Sequence, residues 1–453
     1  MTPASNVQAA INDAPPRTTF CFSPGIYHVS RLMPKSGDVL NGVGRKAVLD
    51  GGNSAFYAIY GDSVSPGPSD VTVRGFIIRN FRTPLQQGAI QDYNGPGWVI
   101  QDNHITKNAA AGVATGDTVK VLDNLIDHNG QEGFSAQGNG GLYQDNEIAY
   151  NNFNLAVNGG WEAGGGKAWG TDHLTFKFNY VHNNGGPGLW ADTNNINTVF
   201  DDNTVSNNWG PGIYEEISYN ATITGNTVTG NSMPSSPGNG ERLGWGWDAG
   251  IQLRGSGGLS PSTPLIISHN IVTDNFNGIT LVQSPSPDAC PDKASHEGRY
   301  GPCRIQNVVV EDNYITMSQG ATGEFADGTD SDNSIFTSWN NRWLQNNYCV
   351  TSAVHPADGY INNSWFAWLY NIVSWSEWQN DGLDTFGTFT VGGTCRPLWP
   401  RGKAKVLVTK PRAETGYRQP HPERHPEHGR YLRSFQLRIE ERRHLDGGDG
   451  HQA

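Results

Sequence analysis

Over most of the chain, apolar and polar residues alternate in short runs that are closed by Asn or Gly. A seven-residue word recurs: DNHITKN at 102–108, DNLIDHN at 123–129, DNEIAYN at 145–151, FNYVHNN at 178–184, DNTVSNN at 202–208, GNTVTGN at 225–231 and HNIVTDN at 269–275, with a weaker DNYITMS at 312–318. The leading residues Asn103, Asn124, Asn146, Asn179, Asn203, Asn226, Asn270 and Asn313 are spaced by 21, 22, 33, 24, 23, 44 and 43. The base period is therefore about 22 residues, with insertions. Each word leads into a Gly and an alternating apolar pair, as in Gly112-Val113, Gly133-Phe134, Gly188-Leu189, Gly212-Ile213, Gly250-Ile251 and Gly278-Ile279. In the coil after Asn146, Asn154 takes the Gly place, ahead of Leu155 and Val157. Alternation in such short runs predicts strands joined by tight turns. A strand with one apolar side cannot bury it alone, so successive coils must stack at the ~4.8 Å strand spacing and share an interior.

The recurrent Asn residues read as structural: the side-chain amide bonds backbone groups in a turn and tolerates a left-handed conformation. Val39–Asp50 and Val71–Asn80 read as earlier, less regular coils. Ser5 stands three residues before Gln8, a capping-box spacing, and Val7, Ala10 and Ile11 follow at helical intervals. A short helix is expected there, plugging the apolar end of the stack; Ser374 and Glu377 repeat the spacing at the other end.

The N-terminal words VQAAINDAPP, FSPGIYHV and LNGVGRKAVLDG, with the NxIxxN…GI repeats, resemble the pectate-lyase-like superfamily of right-handed parallel β-helix proteins over roughly residues 5–395. The chain is also similar to a bacterial right-handed β-helix repeat family, through EAGGGK at 162–167, GPGLW at 186–190, EISYNATITGN at 216–226 and WSEWQ at 375–379. The resemblance implies an all-β, single-domain solenoid of about ten coils with a short N-terminal capping helix, acting on a polysaccharide outside the cell. A fold of this kind specifies its function weakly.

Composition refines this picture at the ends. Residues 396–453 carry 13 of the 31 Lys and Arg but only 7 of the 43 Asp and Glu, with no repeat and no apolar rhythm. Such a tail cannot bury enough surface to offset ordering, and its abrupt onset also suits an out-of-frame product. Its histidines, in HPERHPEH, lack a second cluster to complete a metal site. The body, 1–395, keeps 18 basic against 36 acidic residues, which speaks against a nucleic-acid partner. No apolar stretch is long enough to span a membrane, and the N-terminus lacks the charged and apolar regions of an export signal. Secretion is expected from the resemblance and from the cysteines. Cys290 and Cys303 bracket a loop, Cys349 and Cys395 can tie down the end, and Cys21 is left over inside an apolar run. The 14 Trp sit mostly outside the apolar periodic positions. A monomer is expected.

Counting from the Gly of each coil, positions +2 and +4 should point outward. The +2 column reads Ala114, Ser135, Ala156, Trp190, Tyr214, Gln252 and Thr280. The +4 column reads Gly116, Gln137, Asn158, Asp192, Glu216, Arg254 and Val282. If the interval from Asn226 to Asn270 holds one coil and an insertion, Asp192, Glu216 and Arg254 form one outward file on consecutive coils. Two carboxyl groups at one strand spacing suit the acid and nucleophile of a retaining glycosidase, and their repulsion raises one pKa. Trp190 and Tyr214 offer faces on which sugars stack. The plain alternative pairs Glu216 with Arg254 and uses Asp192 as a turn cap. Ca²⁺ held between Asp192 and Glu216 is compatible with either.

Two insertions should overhang this file. GGWEAGGGKAWGTDHL at 159–174 supplies Trp161, Glu162, Lys167, Trp169, Asp172 and His173; SMPSSPGNGERLGWGWDAG at 232–250 supplies Glu241, Arg242, Trp245, Trp247 and Asp248. Hydrolysis by the carboxylate pair ranks first and needs no cofactor. The resemblance offers a second reading, a lyase in which Lys167 or Arg254 takes the proton beside a uronate carboxylate while Ca²⁺ or another cation neutralises it. A glycan-binding or structural surface solenoid is the third. The NTD, GHG and RIK words of β-helix polygalacturonases are missing from the coils, and so is the YGxDPH word of alginate epimerases; WGTDHL is a poor match.

Overall fold

The computed structural model describes residues 1–395 apart from 234–245, 284–289, 291–296, 318, 327–332, 356–363 and 394. The basic tail, Trp245, Glu241 and Arg242 lie outside the described residues. Each coil lays one short strand into each of three sheets. The first sheet holds 12 strands, from Thr19–Cys21 to Arg342–Leu344, and the second 13, from Gly25–His28 to Thr388–Val391. The third holds 12, from Ile59–Tyr60 to Asn371–Ser374. Pairing is parallel except at the last step of the third sheet, where Ser364–Trp368 and Asn371–Ser374 run antiparallel. The chain is thus a right-handed parallel β-helix, whose short irregular coils at both ends extend the regular array.

The +1 residues line the interior in register: Ile90, Val113 and Phe134, and later Leu189, Ile213, Ile251 and Ile279, all fully buried. Each such side chain contributes roughly 1.5–3 kcal/mol of burial. Between the two groups the +1 place is Gly166, because the Phe134 ring fills it; a Cβ there would lie 2.2 Å from that ring.

The recurrent Asn residues form two buried ladders. In the first, the Oδ1 of each Asn accepts both the backbone N–H and the side-chain amide of its predecessor, from Asn103 through Asn124 to Asn313 and Asn346. The ladder ends on the Asp384 carboxylate. A second ladder runs from Asn108 through Asn129 and Asn151 to Asn275. The left-handed residue is not the Asn but its predecessor: Asp102, Asp123, Asp145, Phe178 and Asp202 all have φ between 53° and 57°. The Asn side chain must point inward to reach the next coil, so the turn itself falls one residue earlier.

The N-terminal helix is Val7–Asp13, capped by Asn6, whose side chain accepts from the Ala9 N–H at 3.1 Å. Ser5 instead bonds the Thr2 N–H at 2.9 Å, so the expected Ser5–Gln8 box does not form. The expected box at the far end does form: Ser374 and Glu377 cap Trp375–Asn380 reciprocally. Cys290–Cys303 and Cys349–Cys395 are disulfides. Cys21 is exposed rather than buried, because its strand turns Phe20 inward. Trp98, Trp343, Trp365 and Trp378 are fully buried, so tryptophan serves the interior more than its sequence positions suggest.

Candidate functional site on the third sheet

Strand pairing on the third sheet sets Asp192 beside Glu216 and Glu216 beside Arg254. The Asn226–Asn270 interval does hold one coil plus an insertion, and the outward file forms as expected. The preceding coil differs. Its strand is Gly164–Trp169, so Lys167 takes the +2 place beside Trp190 and Trp169 the +4 place beside Asp192. Ala156 and Asn158 belong to the segment leading into that strand, and Asn158 caps the short helix Gly159–Glu162 by accepting from the Gly160 N–H at 2.8 Å. A run of three Gly hides this strand from an apolar pattern, because its inward place is filled by a neighbouring ring.

All five candidate catalytic residues meet in one chain of contacts. Lys167 Nζ lies 2.9 Å from Glu162 Oε1 and 2.7 Å from Asp192 Oδ2. It also sits over the Trp190 ring, 4.4 Å from its centroid. Trp190 Nε1 donates to Glu216 Oε2 at 3.2 Å, and Arg254 donates to Glu216 Oε1. Arg254 also lies over Trp247 at 5.1 Å.

Burial is the chief force on these groups. It pushes the Glu216 carboxyl up to about 7; the Asp192 charge adds to this and Arg254 opposes it. Burial alone would lower the Lys167 pKa, but Asp192 and Glu162 outweigh it and hold the ammonium above its ordinary range. On the inward side of the same strand, Glu215 is fully buried and raised well above the usual range, first by burial and then by Asp192. Glu132, also buried, is raised by burial and by the Glu162 charge.

A cleft of about 300 Å³ opens beside this network. Glu162, Lys167 and Trp169 border it together with Gln86, Gln87, Tyr93, Ser135 and Gln137. Trp169 is 52% exposed and Trp161, on the short helix, 51%. Trp190 and Tyr214 are not open platforms: they are 3% and 7% exposed and stack on each other at 5.3 Å. Trp247 packs against the cluster of Val282, Ala321, Phe325 and Ala367. His173 pairs with Asp172 beyond the strand end and does not border the cleft. Ser135 and Gln137 stood in the outward columns, where the signal for them existed. Gln86, Gln87 and Tyr93 come from an irregular coil without the repeat word and carried none.

Lys167 and Arg254 bond the carboxylates of Asp192 and Glu216, the pair considered for Ca²⁺, and among the described residues no group of three or more His, Cys, Asp and Glu is arranged to hold a metal. No helix of the described residues is long and apolar enough to cross a membrane.

The family model described as a right handed beta helix region matches residues 44–161 and 97–261. With its three stacked parallel sheets, the chain has the right-handed parallel β-helix fold that this family model describes. Among solved structures it is similar to the A-module of the Azotobacter vinelandii mannuronan C-5 epimerase AlgE6, with a TM-score of 0.51 and 18% identity, over 86% of this chain and 94% of that one. It is also similar to the catalytic unit of a GH87 α-1,3-glucanase from Streptomyces thermodiastaticus, with a TM-score of 0.47 and 15% identity, over 85% of this chain and 64% of that one. At these identities the likeness is one of fold. No curated protein matches the sequence.

Proposed function

We propose that the chain is a carbohydrate-active enzyme that hydrolyses glycosidic bonds of a polysaccharide on the outer face of its third sheet. Glu216 is the proton donor and Asp192 the nucleophile. The observation that carries this reading is a pair of carboxyl groups on adjacent strands, each bonded to its own cation. Burial pushes Glu216 up to about 7, while Asp192 lies 2.7 Å from the Lys167 ammonium. Adjacent strands bring the two to ~5 Å, the separation suited to retention.

In the first step Glu216 protonates the glycosidic oxygen as its bond to the anomeric carbon breaks, and Asp192 forms a glycosyl ester. In the second, water gives a proton to Glu216 and displaces Asp192. Lys167 and Arg254 hold the two carboxyl groups in place, and Trp169 offers an exposed face to a sugar ring. The fold shared with a mannuronan epimerase module supports a polysaccharide as the substrate, and two disulfides support an oxidising, extracellular setting.

The lyase reading asks Lys167 to give up a proton readily. Its two carboxylate partners work against that, as Glu216 does for Arg254. A purely glycan-binding solenoid needs the exposed Trp but not two adjacent acids. The test is incubation of the full chain with neutral and uronic polysaccharides, following reducing ends and unsaturated-uronate absorbance. Reducing ends without ultraviolet absorbance are expected, with a loss of about 10²–10⁴-fold in Asp192→Asn and in Glu216→Gln. Full activity in either variant, or new absorbance at the cleavage rate, refutes the assignment.

A further inference from the structure

We infer that the cleft beside the carboxylate file is a subsite for an uncharged sugar, and that the chain acts on neutral rather than uronic glycans. This rests on the reading above that the third sheet handles a polysaccharide, and it names the class of polysaccharide. A uronate carboxylate entering a partly buried cleft must find a cation to replace its hydration. The lining offers none that is free. Among the described residues Lys167 is the only Lys or Arg bordering the cleft, and its ammonium is already divided between Glu162, Asp192 and the face of Trp190. Glu162 brings a negative charge to the same wall, and Glu132 stands buried behind it with its Oε2 unpartnered. An added carboxylate would meet Glu162 and Asp192 as like charges.

The remaining lining suits hydroxyl groups. The Gln137 amide has no hydrogen-bond partner among the described residues, and the Gln87 amide nitrogen is likewise free while its oxygen accepts from Tyr57. The Tyr93 hydroxyl lies 3.0 Å from both the Gln86 carbonyl and Ser135 Oγ. With one proton, Tyr93 donates to the carbonyl and leaves Ser135 to orient toward it or toward a ligand. Neutral amides and hydroxyls both donate and accept, as sugar hydroxyls require. Exposed Trp169 and Leu85 border the opening, giving apolar surface for the C–H face of a ring.

The experiment measures binding separately from cleavage. The full chain is run through native gels containing a neutral glucan, a neutral xylan, polygalacturonate or alginate, and Trp fluorescence is titrated with oligosaccharides of the polymer that retards it. Retardation by a neutral polymer is expected, weakened about ten-fold by Trp169→Ala and by a smaller factor in Gln137→Ala. Gln137→Lys supplies the missing cation and should add salt-sensitive binding of a polyuronate that the parent chain does not retain. Binding of polygalacturonate or alginate by the parent chain overturns the inference, and so does failure of every neutral polymer to bind. A neutral polymer that is bound in a Trp169-dependent way but never cut leaves this subsite standing and removes hydrolysis instead.

Discussion

Glu216 and Lys167 carry their chemistry through what surrounds them. Glu216 can donate only while protonated, and its carboxyl titrates at about 7, so cleavage should decline as pH rises through about 7. Arg254, more than Lys167, holds this value down. Arg254→Gln should therefore move the alkaline limb of the pH–rate profile upward by about one unit while lowering the rate; a limb that stays in place speaks against Glu216 as the acid. Lys167 separates two carboxylates that would otherwise face each other. Lys167→Met should cost about 3 kcal/mol in denaturant unfolding at pH 7, because it leaves two partly buried charges uncompensated.

At the scale of the coil, the Asn ladders hold the turns in register. Asn203 donates to the Phe176 carbonyl and to Asn226 Oδ1, and its own Oδ1 accepts the backbone N–H and the amide of Asn179. Asn203→Leu strands all of these buried groups, and a loss of about 3 kcal/mol or more is expected from chemical unfolding, with Asn203→Asp intermediate because it keeps the acceptor. The spacing of these residues made the coils legible, since each ladder position needs one Asn per turn. The outward file was legible for the same reason: Asp192, Glu216 and Arg254 follow words that match the repeat. The coil of Gly164–Trp169 was not, because its interior is completed by Phe134 from the coil before it. That contact depends on two coils at once and leaves no apolar mark at Gly166. The burial of Trp190 and Tyr214 was equally hidden. The columns set their direction, whereas their cover comes from contacts between coils: Lys167 lies over Trp190, and Trp190 and Tyr214 stack on each other.

Across the whole solenoid, burial outweighs the favourable neighbours of several carboxyl groups. Burial pushes Asp92 and Glu324 up to about 8 and Glu216 up to about 7, and it raises Glu215 well above the usual range. In the unfolded chain these groups titrate near 4, so between about pH 4 and 8 the folded state binds more protons than the unfolded state. The sign follows directly: their contribution is full below the unfolded values and is lost as pH rises through the folded ones. Asp50, Asp127 and Glu377 are shifted the other way, and their contribution is lost only as pH falls below the ordinary carboxylate range. Thermal stability should therefore be greatest in mildly acid solution and fall from pH 6 to pH 9. Glu215 gives the sharpest check, because both of its carboxyl oxygens are buried with no partner. Glu215→Met keeps nearly the same volume and removes the group that must either hold a proton or be ionised in the core. The variant should melt higher than the parent at pH 9, by about 1–3 kcal/mol in stability, and should differ less at pH 5. A parent melting temperature that rises between pH 6 and 9, or a Glu215→Met variant that loses stability equally at both ends, would show that these carboxyl groups are ionised and paired in the folded chain.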